Sequence, residues 1–473
     1  MAHGKPAYPA HWVSTIGKIH NILIAFVCAC LFSCGGASPP VGIPSPVSNL
    51  MTISNPDSSG SVTLTGAPGA VLPGAIVTAA NTSQQVQKSS PIETLFFGTA
   101  WAQSGTTQAD TIAASDGSFE LTLSGQVGET VQVVQTVAGQ TSPPTDLVIQ
   151  GTVIDLGVVP HGLAVDENSG TAYVTADPGT AGLVFKLNLN SFDPLPSKPP
   201  PSYSFDGFPS LKDIAVDPIA QNGFAVAPGQ NALLTFDLTQ DGTTAKVRTF
   251  DNPLTVRTLP SAGITAVGLG STLASVVLVD SASGEAQCSL LLTHPVIPSL
   301  NHLQTPFVSI FEDSDGVPTL VALSQFSDGS WMLSRVPGLG CSTVPSEINK
   351  VLLSGSIQPG GLSTFDFGDG ALITDTKANQ LLQVSFDADN SSPVTVGHGP
   401  KGVAVENKTG TVFVVNSLDN SITHLDLDSQ ILQNLIGVGL GPSEIAIDGN
   451  LGFAVVLSEL DSTVVIVDLN KTL

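Results

Sequence analysis

An all-β fold is what this sequence predicts, and three observations carry the prediction. Gly (47) and Pro (34) are many among 473 residues, while aromatics are only 5%. Many short strands joined by tight turns give that balance, and long helices do not. A short phrase, "PHGLAVD" at Pro160, returns as "LKDIAVD" at Leu211, "PKGVAVE" at Pro400 and "PSEIAID" at Pro442. Weaker copies begin at Ser261 ("SAGITAV"), Pro306 ("PFVSIFE") and Pro359 ("PGGLSTF"), so the period is roughly 40 to 50 residues. Each full copy continues into a turn, a second apolar run, a polar loop and a third run. Four strands per such period is the signature of a β-propeller blade. Seven copies predict a seven-bladed β-propeller over residues 149–473.

The apolar runs support this reading. "TVFVV" (411–415) and "GFAVVL" (452–457) are nearly continuous rather than alternating, as strands covered on both faces should be. After Pro442 the chain has room for three strands only. The segment "QGTVIDLGVV" before Pro160 lines up with "QNLIGVGLG" at 433–441. Val153, Ile154 and Leu156 are therefore expected to pair with "TVVIVDL" (463–469), so that an N-terminal strand closes the last blade and covers its edge.

Within the propeller class, "GTVFVVNSLDNSITHLDL" and "GTAYVTADPGTAGLVFKLNL" resemble the YVTN/NHL type of repeat. The match is strong in the first, second, sixth and seventh copies and weak in the third and fourth. Residues 57–148 have another texture, "SVTLTGAPGAVLPGAIVTAANTS" and "ASDGSFELTLSGQVGETVQVVQT". Phe119, Leu121 and Leu123 alternate as on a strand with one buried face, and Pro73-Gly74 and Asp116-Gly117 mark turns. This segment is similar to bacterial Ig-like modules, which implies a small β-sandwich. An insertion at 84–110 departs from that pattern. Its Leu95, Phe96, Phe97 and Trp101 form either a sticky patch or a satellite core.

At the N-terminus, Lys5 and Lys18 precede "ILIAFVCACLF" (22–32), a run too short to span a bilayer. It reads as the hydrophobic region of a secretory signal. It runs into "LFSCGG", which resembles the bacterial lipoprotein signal. The resemblance implies that 1–33 are removed, that Cys34 carries lipid, and that 34–56 form a flexible tether. The protein would be exported and held to a membrane of the bacterial envelope by that lipid, on the periplasmic side or at the cell surface. An ordinary cleaved signal with incidental cysteines is the other reading.

Acidic residues outnumber basic ones, 39 to 15. Nucleic acid is excluded as a partner, because phosphate binding needs a basic stripe. Candidate binding residues stand at the mouth of the expected channel. His161, Lys212, Asp213, Lys401 and Glu444 lie in the loops leading into the inner strands. Asp177, Asp280, Asp375, Asp419, Asn420 and Asp461 lie in loops between the second and third strands. Such a rim takes a cation, a glycan or a basic peptide, or its residues are simply those that β-turns use.

No cofactor is evident; a divalent cation in the channel is the one the rim would take. His161, His294, His302, His398 and His424 show no ligand spacing with Glu. No phosphate loop and no G-x-S-x-G elbow occurs, so the sequence gives no positive sign of catalysis. The expected function is a lipid-anchored envelope protein whose propeller serves as a binding or scaffold platform for an envelope protein, peptide or glycan. The alternatives are a metal-dependent propeller enzyme of the lactonase or lyase kind, and a structural surface or adhesion protein. Cys288 and Cys341 are either a disulfide, as export permits, or two buried thiols.

Overall fold

The computed structural model describes residues 42–54, 61–82, 107–125, 129–149, 151–190, 199–273, 275–294, 296–339, 349–353, 356–365, 370–386, 390–406, 408–426 and 436–469. The lipidation motif at Cys34, the apolar cluster at 95–101 and Cys341 lie outside them.

The N-terminal part is built from eight strands: β1 (Met51–Ile53), β2 (Ser61–Gly66), β3 (Ile76–Asn81), β4 (Gln108–Ile112), β5 (Phe119–Ser124), β6 (Thr130–Val137), β7 (Gln140–Thr141) and β8 (Thr145–Val148). They form a three-stranded sheet, β1-β2-β5, and a five-stranded one, β4-β3-β6-β7 with β8 beside β6. Strand β5 shows the alternation that its sequence predicts, with Phe119, Leu121 and Leu123 buried. They meet Val77, Ala79, Val131 and Val133 of the other sheet in one core. Part of the expected tether is drawn in: Met51 pairs with Gly66, and Thr145 Oγ1 donates to the Pro46 carbonyl at 2.7 Å.

Strand β9 (Gly151–Asp155) leads into seven four-stranded antiparallel sheets. The first holds β10 (Val159–Asp166), β11 (Thr171–Asp177), β12 (Ala181–Asn188) and β13 (Tyr203–Asp206). The second holds β14 (Asp213–Asp217), β15 (Asn222–Ala227), β16 (Ala232–Asp237) and β17 (Lys246–Thr249). The third holds β18 (Pro253–Leu259), β19 (Ile264–Leu269), β20 (Val276–Asp280) and β21 (Ala286–Leu290). The fourth holds β22 (His302–Glu312), β23 (Pro318–Phe326), β24 (Trp331–Pro337) and β25 (Asn349–Leu353). The fifth holds β26 (Pro359–Phe365), β27 (Gly370–Asp375), β28 (Gln380–Ser385) and β29 (Asn390–Thr395). The sixth holds β30 (Pro400–Glu406), β31 (Thr411–Asn416), β32 (Ser421–Asp426) and β33 (Ile436–Gly437). The seventh joins β34 (Pro442–Asp448), β35 (Phe453–Ser458) and β36 (Thr463–Asp468) to β9, with Ile154 opposite Val464 and Val153 opposite Val465.

Packed side chains, with single hydrogen bonds rather than strand ladders, join neighbouring sheets. Strand β31 is buried throughout, because Phe413 and Val415 pack against Ile445, Val456 and Val465 of the next sheet. Ile154, Val455 and Ile466 pack against Leu163, Val174 and Phe185 of the first four-stranded sheet. First strands lie side by side, β10 with β14, β14 with β18, and so on to β34, which packs on β10.

The expected fold class, a seven-bladed β-propeller preceded by a small Ig-like β-sandwich, is corrected to an all-β architecture of nine small antiparallel sheets. Among the described residues the strand ladders stop at three to five strands in every sheet, and none of the sheets closes on itself into a barrel. The repeat register is corrected as well. The weak phrase at Ser261 does not open a sheet, since its apolar run is the second strand, β19; the third sheet opens at Pro253 with "PLTVRTL". Among the described residues no helix is long and apolar enough to cross a membrane.

Candidate functional site

The first strands share one local geometry. Their ladder with the second strand is interrupted near the start, between Pro160 and Leu163, Pro253 and Thr255, Pro359 and Gly361, Pro400 and Val403, and Pro442 and Glu444. Such bulges re-aim side chains and free backbone groups. The third residue of these phrases sits at this point: Gly162, Thr255, Gly361, Gly402 and Glu444; Asp213 is the third residue of its own phrase and opens a regular ladder with Val226. Where it is glycine, the next strand comes too close for a side chain. A Cβ on Gly162 would stand 2.6 Å from Asp213 Cα, and one on Gly402 2.9 Å from Glu444 Cα.

The two carboxylates at this position are bound alike but unequally. Asp213 is 4% exposed. Its Oδ2 accepts from the Val256 N–H (3.0 Å), Thr255 Oγ1 (2.7 Å) and Arg257 Nη1 (2.7 Å), and its Oδ1 from the Ile214 N–H (2.8 Å). Glu444 Oε2 accepts from the Leu163 N–H of the following sheet at 3.1 Å. Each carboxylate thus takes an amide N–H from the neighbouring first strand, but only Asp213 also gains a cation and a hydroxyl.

Both Glu444 and Arg257 line a cavity of about 260 Å³, with Leu163, Phe307, Gly361 and Gly402 among the rest of its wall. Glu444 is half-buried and lines this cavity. Burial therefore dominates its ionisation and, with the nearby charge of Asp213, raises it from the ordinary 4.5 to about 8; Arg257 and the Leu163 N–H pull the other way. At neutral pH the carboxyl holds its proton. Arg257 is 39% open to the cavity. Burial works against its charge, but Asp213 and then Glu444 outweigh that and raise its ionisation further. The site thus combines a protonated acid, a guanidinium and a fully hydrogen-bonded carboxylate.

Of the residues singled out in the sequence, Asp213 and Glu444 come together here. Lys401 Nζ lies 3.5 Å from Glu459 Oε2, and Glu459 adds to the negative field on Glu444. The others stand elsewhere, on backbone duty. Asp177 Oδ1 accepts the Gly179 N–H, and Asp280 Oδ1 accepts from Ser283 N–H and Oγ. Asp375 Oδ1 takes the Gln358 and Lys377 N–H groups. Asp419 accepts the His398 N–H, Asp461 the Leu440 N–H, and Asn420, with φ of 52°, the Gly441 N–H. His161 is half-buried on β10, and Lys212 is exposed with its N–H on the Val226 carbonyl.

Arg257 and Thr255 escaped the sequence reading. The signal was present: "NPLTVRT" has the proline and the alternation of the other phrases, but the third repeat was placed one strand late. Cys288 is disulfide-bonded and is the only cysteine among the described residues. Among those residues no group of His, Cys, Asp and Glu could hold a metal ion.

No family model matches the chain. No curated protein matches it either. A solved chain titled Kuenenia stuttgartiensis hydrazine synthase is similar over 68% of this chain and 99% of its own length, with a TM-score of 0.54 and 13% identity. At that identity the likeness concerns the fold alone. The assignments to YVTN/NHL repeats, Ig-like modules and lipoproteins are corrected accordingly, since none of these families is matched. The three functional readings, binding or scaffold platform, metal-dependent lactonase- or lyase-like enzyme, and surface or adhesion protein, are set aside with them. At 13% identity the similar solved chain lends none of them support, and among the described residues no group of His, Cys, Asp and Glu could hold a metal ion.

Proposed function

We propose that this protein performs acid–base chemistry on a small polar molecule held in the cavity, with Glu444 exchanging the proton. One observation carries the reading. A carboxyl that ionises near neutrality, at about 8, opens onto a cavity beside a guanidinium. A proton-transfer group works best when its pKa lies near the working pH, and such perturbed groups in clefts mark functional sites. Glu444 gives and takes the proton; Arg257 faces the charge that develops; Asp213 is a positioning residue that fixes Arg257. The disulfide at Cys288 supports an oxidising compartment for this work, in keeping with the export signal expected from the sequence.

The test is solvent deuterium exchange, followed by proton NMR, into small carbonyl compounds, with dihydroxyacetone and pyruvate as probes. In the forward step, in those molecules whose Glu444 is ionised, the α C–H bond breaks, its proton passes to the Glu444 carboxylate, and its electron pair moves onto the carbonyl oxygen as an enolate. In the return step a deuteron from the exchanged carboxyl goes back to carbon. The full chain should accelerate exchange of at least one probe, and Glu444→Gln should lower that rate by about 10²–10⁴-fold. Exchange no faster than without protein, or equally fast in the variant, would overturn the proposal.

A further inference from the structure

We infer that the occupant of this cavity is a small monocarboxylate and that its binding is linked to uptake of a proton; this rests on the proton-exchange reading of Glu444. Counting donors and acceptors on the wall leads there. Asp213 is spent, because its two oxygens accept four hydrogen bonds. Arg257 Nη1 serves Asp213 Oδ2 and the Val256 carbonyl, both at 2.7 Å. A guanidinium has five N–H groups, and those on Nη2 and Nε have no partner among the described residues. Ser309 Oγ is engaged with Thr364 Oγ1 at 3.1 Å. Much of the remaining wall is glycine and apolar side chain, including Leu163, Phe307, Gly361, Gly402 and Ile445.

With Glu444 protonated, its O–H and a planar pair of guanidinium N–H groups are the donors the ionisable side chains offer an occupant, and the Ser363 hydroxyl, also on the wall, can give or take one more hydrogen bond. A carboxylate fits that fork with two parallel hydrogen bonds. The volume, about 260 Å³, lies below the ~300–1,000 Å³ of sites for drug-sized ligands, so the occupant has few atoms. An ammonium group finds no match, since Asp213 is saturated and Glu444 presents a proton instead of a charge. The same arrangement makes the affinity depend on pH. Once Glu444 ionises, an entering carboxylate meets two negative groups and one guanidinium, and like charges at close range repel. A bound carboxylate in turn holds the Glu444 proton on, so binding takes up a proton from solvent when the free site is ionised.

Isothermal titration calorimetry of the full chain with propionate, propylamine and 1-propanol, at pH 6 and pH 9, tests this. Propionate should bind up to about tenfold tighter at pH 6 than at pH 9, a difference of up to about 1.4 kcal/mol. Near pH 8 its heat should vary with buffer ionisation enthalpy as proton uptake requires. Glu444→Gln should keep propionate binding but lose the pH dependence. Arg257→Lys, which keeps the charge and removes the fork, should weaken it at both pH values. Preference for propylamine, equal affinity at the two pH values, or no binding of propionate would overturn the inference. If dihydroxyacetone still exchanges deuterium through Glu444 while propionate fails to bind, the substrate class is wrong and the proton-exchange reading stands. If both fail, both are wrong.

Discussion

Glu444 Oε2 and the backbone N–H of Leu163 meet at 3.1 Å although 281 residues separate them in the chain. Asp213 and Val256 make the same contact at 3.0 Å between the second and third four-stranded sheets. One device therefore occurs twice, and the difference lies in what surrounds it. Asp213 has Arg257 and Thr255 on the same oxygen. Glu444 has a cavity.

Replacing Asp213 by Ala should destabilise the fold by about 3 kcal/mol, the low end for breaking a buried ion pair, because Arg257 keeps 39% of its side chain open. Chemical denaturation measures it. The double replacement with Arg257→Leu should cost less than the sum of the two single changes, since it leaves no unpaired charge. Strict additivity would show that the pair is not coupled.

Stability should fall between about pH 5 and pH 8 in a way that depends on Glu444. Its ionisation is raised in the folded protein, from the ordinary 4.5 to about 8. Folding therefore binds a proton that the unfolded chain has already released in this window. The contribution is complete below about 4.5 and is lost as the pH rises to about 8. Burial raises Glu167 as well, with the same sign, so the measurement is a difference: Tm against pH for the wild type and Glu444→Gln. The wild-type curve should drop more steeply. Parallel curves would refute the assignment.

Strand β9 should matter beyond its five residues. It covers β36, and Ile154, 2% exposed, packs in the core shared by the seventh and first four-stranded sheets. Ile154→Ala should cost about 3 kcal/mol, within the usual range for Ile→Ala in a core. Deleting 151–155 should do more, because β36 then becomes an open edge prone to aggregation. Thermal melting with light scattering reads both effects.

We propose Cys341 as the partner of the disulfide at Cys288. Non-reducing peptide mapping should recover one peptide pair joining the two positions. Reduction should lower stability by about 2–4 kcal/mol, as for other native bridges. A Cys288 bonded to one of the cysteines before residue 35 would reject the pairing.

Much of the strand pattern was legible because both periods act on the sequence at once. The phrase repeat placed six of the seven first strands, and the run "TVIDL" could be matched to β36 by counting residues after Pro442. The third sheet was misread because "SAGITAV" (261–267) imitates the phrase, while "PLTVRTL" lacks the usual Ala-Val after its apolar residue. That single slip hid Arg257. The site was half legible for a further reason. Asp213 and Glu444 stood out as third-position acids, but Asp177, Asp280, Asp419 and Asp461 looked equally suitable. Only geometry shows that these four hold backbone N–H groups of turns. Nothing local in a sequence tells an Asp that caps a turn from one that faces a cavity.

The most direct test of the account is a carbon-13 NMR titration of the side-chain carboxyls, with Glu444→Gln to assign the signal. The resonance missing from the variant should titrate near pH 8. Titration of that resonance at the ordinary 4.5 would contradict the account, because the ionisation of Glu444 would then lie far from the working pH and the cavity would present a second negative charge to a carboxylate.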